Sequence, residues 1–203
     1  EAGAAPAGGG ADPRLSAERL PRRFWAVLAA ILVFTLGNSA DAFLLLRAAQ
    51  LGVAAALIPV LWALLHMVKA LATTPGGALS DRLGRKPLLV TGWGLYAAVY
   101  LGFGAAREEW QAWALFVLYG LYFGLTEGVE KALVADLVPA ARRGAAFGWY
   151  NLTLGLGALP AALLFGLVWD RAGSQIAFAV GAALALVATL AIAAAAPRRP
   201  PVW

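Results

Sequence analysis

The stretch GAAFGWYNLTLGLGALPAALLFGLVW, residues 144–169, contains no Asp, Glu, Lys or Arg in 26 consecutive positions. About 20 apolar residues in a helix cross the hydrocarbon core of a bilayer, whereas a barrel strand needs only about 10. The length of this stretch therefore predicts a transmembrane helix. Gly155, Gly157 and Pro160 are compatible with it, because membrane helices tolerate both residue types at bends and close helix contacts.

Five further stretches of the 203-residue chain lack these charged residues: 24–40, 48–68, 87–106, 110–126 and 172–197. Hydrophobic residues make up 62% of the chain and charged residues 13%, against about 45–50% and about 25% in soluble proteins. A soluble core cannot bury six such segments, so the sequence predicts an all-α integral membrane protein with six transmembrane helices. We expect these helices at 24–47, 53–76, 87–106, 110–137, 144–169 and 174–196.

The positive charges are distributed unevenly along the chain. Of the 16 Lys and Arg, only Arg47, Arg107 and Arg171 belong to the first, third and fifth connections. Eleven others precede the first helix, lie in the second and fourth connections or follow the last helix: Arg14, Arg19, Arg22, Arg23, Arg82, Arg85, Lys86, Arg142, Arg143, Arg198 and Arg199. Because basic residues concentrate on the cytoplasmic side, both termini of the segment are predicted to be cytoplasmic, in a multi-pass protein of the inner or plasma membrane. The net charge of +5 thus reflects topology rather than a nucleic-acid partner.

The chain divides into three regions by composition. Residues 1–23 are rich in Ala, Gly, Pro and Arg and predict a flexible basic cytoplasmic linker; residues 24–196 form the bundle, and 197–203 a cytoplasmic tail. Since the chain begins at Glu1 rather than Met, we expect a piece of a longer protein. It has no Cys and one His, so no disulfide, cofactor or resident metal site is expected. No nucleophile–base pair or phosphate-binding loop suggests an enzyme.

The second connection, GGALSDRLGRKP at residues 76–87, carries the most specific motif. It resembles the signature loop of the major facilitator superfamily, Gly-x-Leu-Ala/Ser-Asp-Arg-x-Gly-Arg-Lys/Arg, which lies between the second and third helices of a six-helix half. Every defined position matches. Gly77 and Gly84 suit a tight turn and close backbone approach. The charged positions can hold helix ends by charge-assisted hydrogen bonds: Asp81, Arg82, Arg85 and Lys86.

The resemblance implies one half of a major facilitator superfamily fold, with a second six-helix half, on the same or a separate chain, as its partner. It implies gating roles in which Asp81 reaches a helix of the other half and Arg85 pairs with Asp136 inside this one. The C-terminal half, helices seven to twelve, is favoured. N-terminal halves often carry an Arg in the fourth helix, where Tyr119 and Gly120 stand here, and a basic linker precedes the bundle.

Ionisable side chains inside membrane helices are costly and are functional by default. Candidates for a cavity or for coupling are Asn38, Asp41, His66, Lys69, Glu127, Glu130 and Lys131. Thr35, Asn38 and Asp41 follow a three-residue spacing that predicts one polar stripe. The resemblance implies that the first and fourth helices line the central cavity, which would bring the acids of both helices to it.

Structural alternatives exist for several of these residues. Glu127 and Lys131 have the spacing of an i,i+4 ion pair beside a ridge of Gly120, Gly124 and Gly128, and the pair can be purely structural. His66 and Lys69 can be counter-ions of the acids or substrate contacts. Carboxyl groups in a poorly hydrated cavity can bind and release protons near neutral pH, which proton coupling requires.

The predicted function is that of half a secondary transporter working by alternating access, coupled to protons and exporting small amphipathic or cationic organic compounds. Import of a small metabolite or a metal cation fits the same residues, because carboxylates and amide carbonyls are oxygen ligands. The alternative class is a non-transporting membrane sensor or scaffold that keeps the fold.

Overall fold

The computed structural model describes residues 20–38 and 40–197, so most of the predicted linker and residues 198–203 of the tail lie outside the described residues. Every regular element within these ranges is helical. In chain order they are α1a (Arg22–Gly37), α1b (Asp41–Gln50), a 3-10 turn (Ala55–Leu57), α2 (Ile58–Leu83), α3 (Arg85–Ala105), α4 (Glu109–Asp136), a second 3-10 turn (Ala140–Arg142), α5 (Arg143–Ala172) and α6 (Ser174–Ala195). With α1a and α1b forming one span, six spans are long and apolar enough to cross a membrane. The predicted all-α, six-helix fold class is confirmed.

The second span differs from the prediction at both ends. α2 begins at Ile58 rather than 53, and it continues to Leu83, through most of the segment expected to form a loop. Gly84 alone separates it from α3, and its φ of +94° is one that residues with a side chain rarely adopt. The signature segment is therefore mostly the last two turns of a helix, with the turn at one glycine.

The core is built around the aromatic face of α3. Trp93, Tyr96, Tyr100 and Phe103 follow helical spacing on one side of this helix and are fully buried. Phe34 of α1a stacks on Trp93, with ring centroids 4.3 Å apart and an interplanar angle of 13°. These rings pack α3 against the first span, α4 and α6.

Glycines allow α4 to approach α2 closely. A Cβ at Gly124 would overlap the Cβ of Ala72, and one at Gly120 would lie 2.8 Å from the carbonyl oxygen of Leu65. Gly128, the third member of the predicted ridge, has nothing within 4 Å of such a Cβ. The ridge therefore packs over two positions rather than three.

α2 and α5 are the least covered spans. Within the most apolar 18-residue window of each, 17% of the residues are buried, against 56% in α3. Their outer faces are open to lipid or to a partner.

Candidate functional site

A cavity of about 520 Å³ lies between the first span, α4 and α5. Its lining combines aromatic, polar and charged side chains: Phe34, Thr35, Asn38, Ala40, Asp41, Tyr122, Phe123, Thr126, Glu127, Glu130, Lys131, Tyr150, Asn151, Leu154 and Ala158. The first and fourth spans were predicted to line it, but the contribution of α5 was missed. Asn151, an amide inside a stretch without charged residues, was the available signal.

The first span is broken where it meets the cavity, so the predicted continuous helix over 24–47 is wrong. α1a ends at Gly37, Asn38 has an extended backbone (φ −90°, ψ 98°), and helical structure resumes at Asp41. An acidic residue in the first turn is favoured by the free N–H groups there. Thr35, Asn38 and Asp41 do share the cavity wall, but they are brought together by the break and not by uninterrupted helical spacing.

Two buried tyrosines satisfy polar groups at the break. The Tyr96 hydroxyl lies 3.0 Å from the carbonyl oxygen of Gly37, to which it donates, and 3.3 Å from Oδ1 of Asn38. The Tyr119 hydroxyl donates to Oδ1 of Asp41 at 2.9 Å. Their hydroxyl groups hold the two sides of the break.

Glu127 is shared by two lysines. Its Oε2 lies 2.6 Å from Nζ of Lys69 on α2, and its Oε1 lies 3.0 Å from Nζ of Lys131, one turn further along α4. The Lys69 ammonium also sits 4.6 Å from the centroid of the Phe123 ring. The i,i+4 pair anticipated from the sequence is present, and Lys69 adds a second cation from a neighbouring span.

His66 does not join this ion cluster. It is exposed, its Nδ1 lies 2.9 Å from the carbonyl oxygen of Trp62, and its ring is 4.7 Å from the Trp62 ring.

Glu130 has different surroundings from Glu127, although both are on α4. It is only 9% exposed and lies beside the Tyr150 hydroxyl of α5. The Trp93 indole N–H is buried beside the same carboxyl group but outside hydrogen-bonding geometry. Within the described part of the chain Glu130 forms no ion pair, so it is a buried acid on the cavity wall that no cation neutralises directly.

The signature segment forms a separate polar cluster at the C-terminal end of α2. Nη1 of Arg85 lies 2.5 Å from Oδ1 of Asp81 and 2.9 Å from Oγ of Ser80, while its Nε is 3.4 Å from Oδ2 of Asp136. With Gly84, Leu133 and Pro197, these residues line a cleft of about 200 Å³. The Asp81 side chain is 69% exposed, and it bonds within its own hairpin.

The other signature residues have no such partners. Arg82 is exposed and Lys86 half-buried, and within the described ranges neither forms an ion pair. A Cβ at Gly77 would meet nothing within 4 Å, so the close approach predicted there is absent; Gly76 packs against Gly124 instead. Gly84 supplies the predicted turn.

Comparison with known proteins agrees with this architecture. The family model described as Major Facilitator Superfamily matches residues 25–202. The uncharacterized MFS-type transporter MJ1317 of Methanocaldococcus jannaschii is 33% identical over 183 residues, which are 87% of this chain and 46% of that protein. The multidrug resistance protein MdtH of Cronobacter sakazakii is 36% identical over 115 residues, 57% of this chain and 29% of that protein, and MdtH of Shigella boydii is 34% identical over the same length.

The chain thus spans less than half the length of these curated relatives. The family match covers five spans completely and the first from residue 25 onward, including its break and the signature segment. The chain therefore belongs to the Major Facilitator Superfamily.

Proposed function

We propose that this chain is the C-terminal six-helix half of a secondary active transporter that exports amphipathic or cationic organic compounds in exchange for protons. The observation that carries the proposal is a pair of acids, Asp41 and Glu130, on the wall of an aromatic-lined cavity inside the membrane spans. Intramembrane acids of this kind mark ion and substrate pathways. A discontinuous helix, such as the first span here, recurs at substrate sites of secondary transporters.

Pairing with another six-helix half follows from the surfaces left uncovered. α2 and α5 are poorly buried, and the cavity is bordered by α5 together with the first and fourth spans. In the proposed complete transporter a second half covers these faces. The exposed carboxylate of Asp81 would then exchange its bond with Arg85 for one to a helix end of that half during the transport cycle.

The basic ends of the helices support the proposed orientation. Arg85 and Arg143 begin α3 and α5 at one end of the bundle, whereas Arg47 binds the carbonyl oxygens of Phe103 and Ala106 at the other. By the positive-inside rule, the end with Arg85 and Arg143 faces the cytoplasm of a cell membrane.

Proton coupling is proposed for Asp41 and Glu130 because neither is neutralised by a directly bonded cation in the described structure. Asp41 accepts a hydrogen bond from Tyr119, and Glu130 interacts with Tyr150. Glu127, bonded to two lysines, is the less suitable proton carrier.

The proposed cargo follows from the lining and from one relative. Phe34, Tyr122 and Phe123 provide aromatic faces near the acids, a combination that suits an apolar body carrying a positive charge. The name of MdtH, multidrug resistance protein, points in the same direction. A metal cargo is less well supported, because no three His, Asp or Glu side chains of the described residues are grouped to hold a metal ion.

The test is transport by the full-length protein in proteoliposomes with an imposed pH gradient, using ethidium as the probe. Asp41→Asn and Glu130→Gln should each abolish most of the gradient-dependent flux. The matched controls Asp170→Asn and Glu109→Gln, at exposed positions near helix ends, should retain it. Full gradient dependence in both cavity variants would remove these acids as coupling residues. Absence of flux for ethidium and for small anionic and metal probes would favour a non-transporting sensor or scaffold.

A further inference from the structure

Lys69 has an unusual position among the charged groups of the bundle. Its ammonium is bonded to Glu127 and lies over the Phe123 ring, on the side of α2 that faces α4. The carboxylate that it binds, Glu127, lines the same cavity as Asp41 of the first span. One cation on a flexible four-carbon side chain is therefore placed at a cavity that carries a second carboxylate.

Glu127 does not depend on Lys69 for neutralisation. Lys131 is bonded to the other oxygen of the same carboxylate, at 3.0 Å. Leaving a charge unpaired inside a membrane protein is costly, but the departure of Lys69 would leave Glu127 paired with Lys131. The cluster holds two cations for one anion, and the surplus cation is free to serve another carboxylate.

A continuous set of contacts connects the two carboxylates. Asp41 accepts from Tyr119, the Tyr119 ring packs edge-to-face on Phe123 with centroids 4.9 Å apart, and the Phe123 face holds the Lys69 ammonium. Asp41 and Glu127 both line the same cavity. The Lys69 ammonium and the Asp41 carboxylate therefore contact the same aromatic pair, Phe123 and Tyr119.

The remaining charges near Lys69 are few. α4 contributes Glu127, Lys131 and Glu130, and the first span contributes Asp41 and, at its far end, Arg47, which is bonded to carbonyl oxygens of the α3 end. His66 is the other titratable group on this part of α2. Residues 87–106 and 144–169 contain no Asp, Glu, Lys or Arg, so α3 and α5 present only tyrosine hydroxyls as titratable groups toward this region.

We propose that Lys69 is a mobile counter-ion: it pairs with Glu127 while the Asp41 carboxyl is protonated and moves to Asp41 once that carboxyl has released its proton to solvent. Lys69 thereby acts as a positioning residue that links the protonation of the first span to the contact between α2 and α4. This inference rests on the proposed function only in taking Asp41 as a group that exchanges protons.

The test is solid-state NMR of the full-length protein in lipid bilayers, with ¹⁵N-labelled lysine and ¹³C-carboxyl-labelled aspartate and glutamate. The contacts of Lys69 are assigned by their loss in Lys69→Met, and the Asp41 carboxyl signal by its loss in Asp41→Asn. In acidic buffer we expect the Lys69–Glu127 contact alone. In alkaline buffer we expect that contact to be lost and a Lys69–Asp41 contact to appear.

Two variants sharpen the test. Glu127→Gln removes the competing carboxylate, so the Lys69–Asp41 contact should persist further into the acidic range. Lys131→Met leaves Lys69 as the remaining partner of Glu127 in this cluster, so Lys69 should stay there at alkaline pH. A merely structural salt bridge predicts no pH-dependent exchange in the wild type and no opposite effects of the two variants.

The outcomes separate this inference from the proposed function. If the Asp41 signal titrates while the Lys69–Glu127 contact stays constant, the mobile counter-ion is refuted and proton coupling through Asp41 stands. If the Asp41 signal does not titrate at all, the inference fails together with the coupling role of Asp41.

Discussion

Adding one methyl group at Gly124 should separate α2 from α4 and destabilise the bundle. A Cβ at this position would overlap the Cβ of Ala72 and lie 2.9 Å from its carbonyl carbon and 3.0 Å from its Cα. Carbon atoms prefer separations of about 3.5–4.0 Å. Because the atoms met are backbone and Cβ, no side-chain rotation relieves the overlap, and the helices themselves must move apart.

Overpacking of this kind costs about 1–3 kcal/mol, so Gly124→Ala should lower the free energy of unfolding by that amount. Gly128→Ala is the matched control, one turn along the same helix, with nothing within 4 Å of the added Cβ. It should be neutral or gain up to about 1 kcal/mol, since alanine is the better helix former. The overlap also displaces α2, which carries Lys69, so the Gly124 variant should weaken the contact with Glu127.

The measurement is thermal unfolding of the full-length protein in mild detergent, followed by circular dichroism and by the fraction remaining monodisperse. A Gly124→Ala variant as stable as Gly128→Ala would refute the close approach of α2 and α4. Glu127→Gln provides a second reference, because it removes the ion pair between these helices without altering the glycine contact.

Three further variants test other contacts. Tyr96→Phe should cost about 1–3 kcal/mol, because it removes a buried donor to the carbonyl oxygen at the end of α1a; unchanged thermal stability would argue against a tyrosine-held break. Arg47→Met should destabilise by about 1.5–3 kcal/mol through loss of its bonds to two carbonyl oxygens of the α3 end, whereas Arg107→Met, at an exposed position, should change the unfolding midpoint little. Arg85→Gln should slow ethidium flux far more than Arg82→Gln, because Arg85 bonds to Asp81 of α2 and Asp136 of α4, whereas Arg82 forms no ion pair within the described residues; equal rates in the two variants would contradict a gating role.

The number and approximate bounds of the spans could be predicted because they depend on one physical quantity. That quantity is the length of a charge-free stretch compared with the thickness of the bilayer core. The start of α6 at Ser174 agrees with the prediction to the residue. The break after Gly37 could not be predicted in the same way. Membrane helices tolerate Gly, Asn and Ala, and the sequence around Asn38 does not show whether tyrosines from other spans will satisfy the backbone groups that a break exposes.

The signature segment was misjudged for a related reason. Gly77, directly after the predicted helix end at residue 76, suggested a turn, but a glycine inside a membrane helix also permits close packing. Gly76 packs on Gly124, so the helix gains a contact by continuing, and the turn is deferred to Gly84. A glycine can end a helix or allow it to pack closely against a second helix. Which of the two occurs depends on that second helix, and the local sequence carries no information about it.

The two glutamates of α4 make the same point for the candidate site. Glu127 and Glu130 are three residues apart on one helix, and sequence spacing gives an i,i+4 partner only to Glu127. The decisive neighbours come from elsewhere: Lys69 of α2 beside Glu127, and Tyr150 of α5 beside Glu130. One carboxylate is thus bonded to two cations, and the other is buried against a hydroxyl group. The two glutamates are separated by only about 5 Å along the helix axis, yet their surroundings differ because each faces a different span. A second half packed on α2 and α5 would affect the surroundings of both.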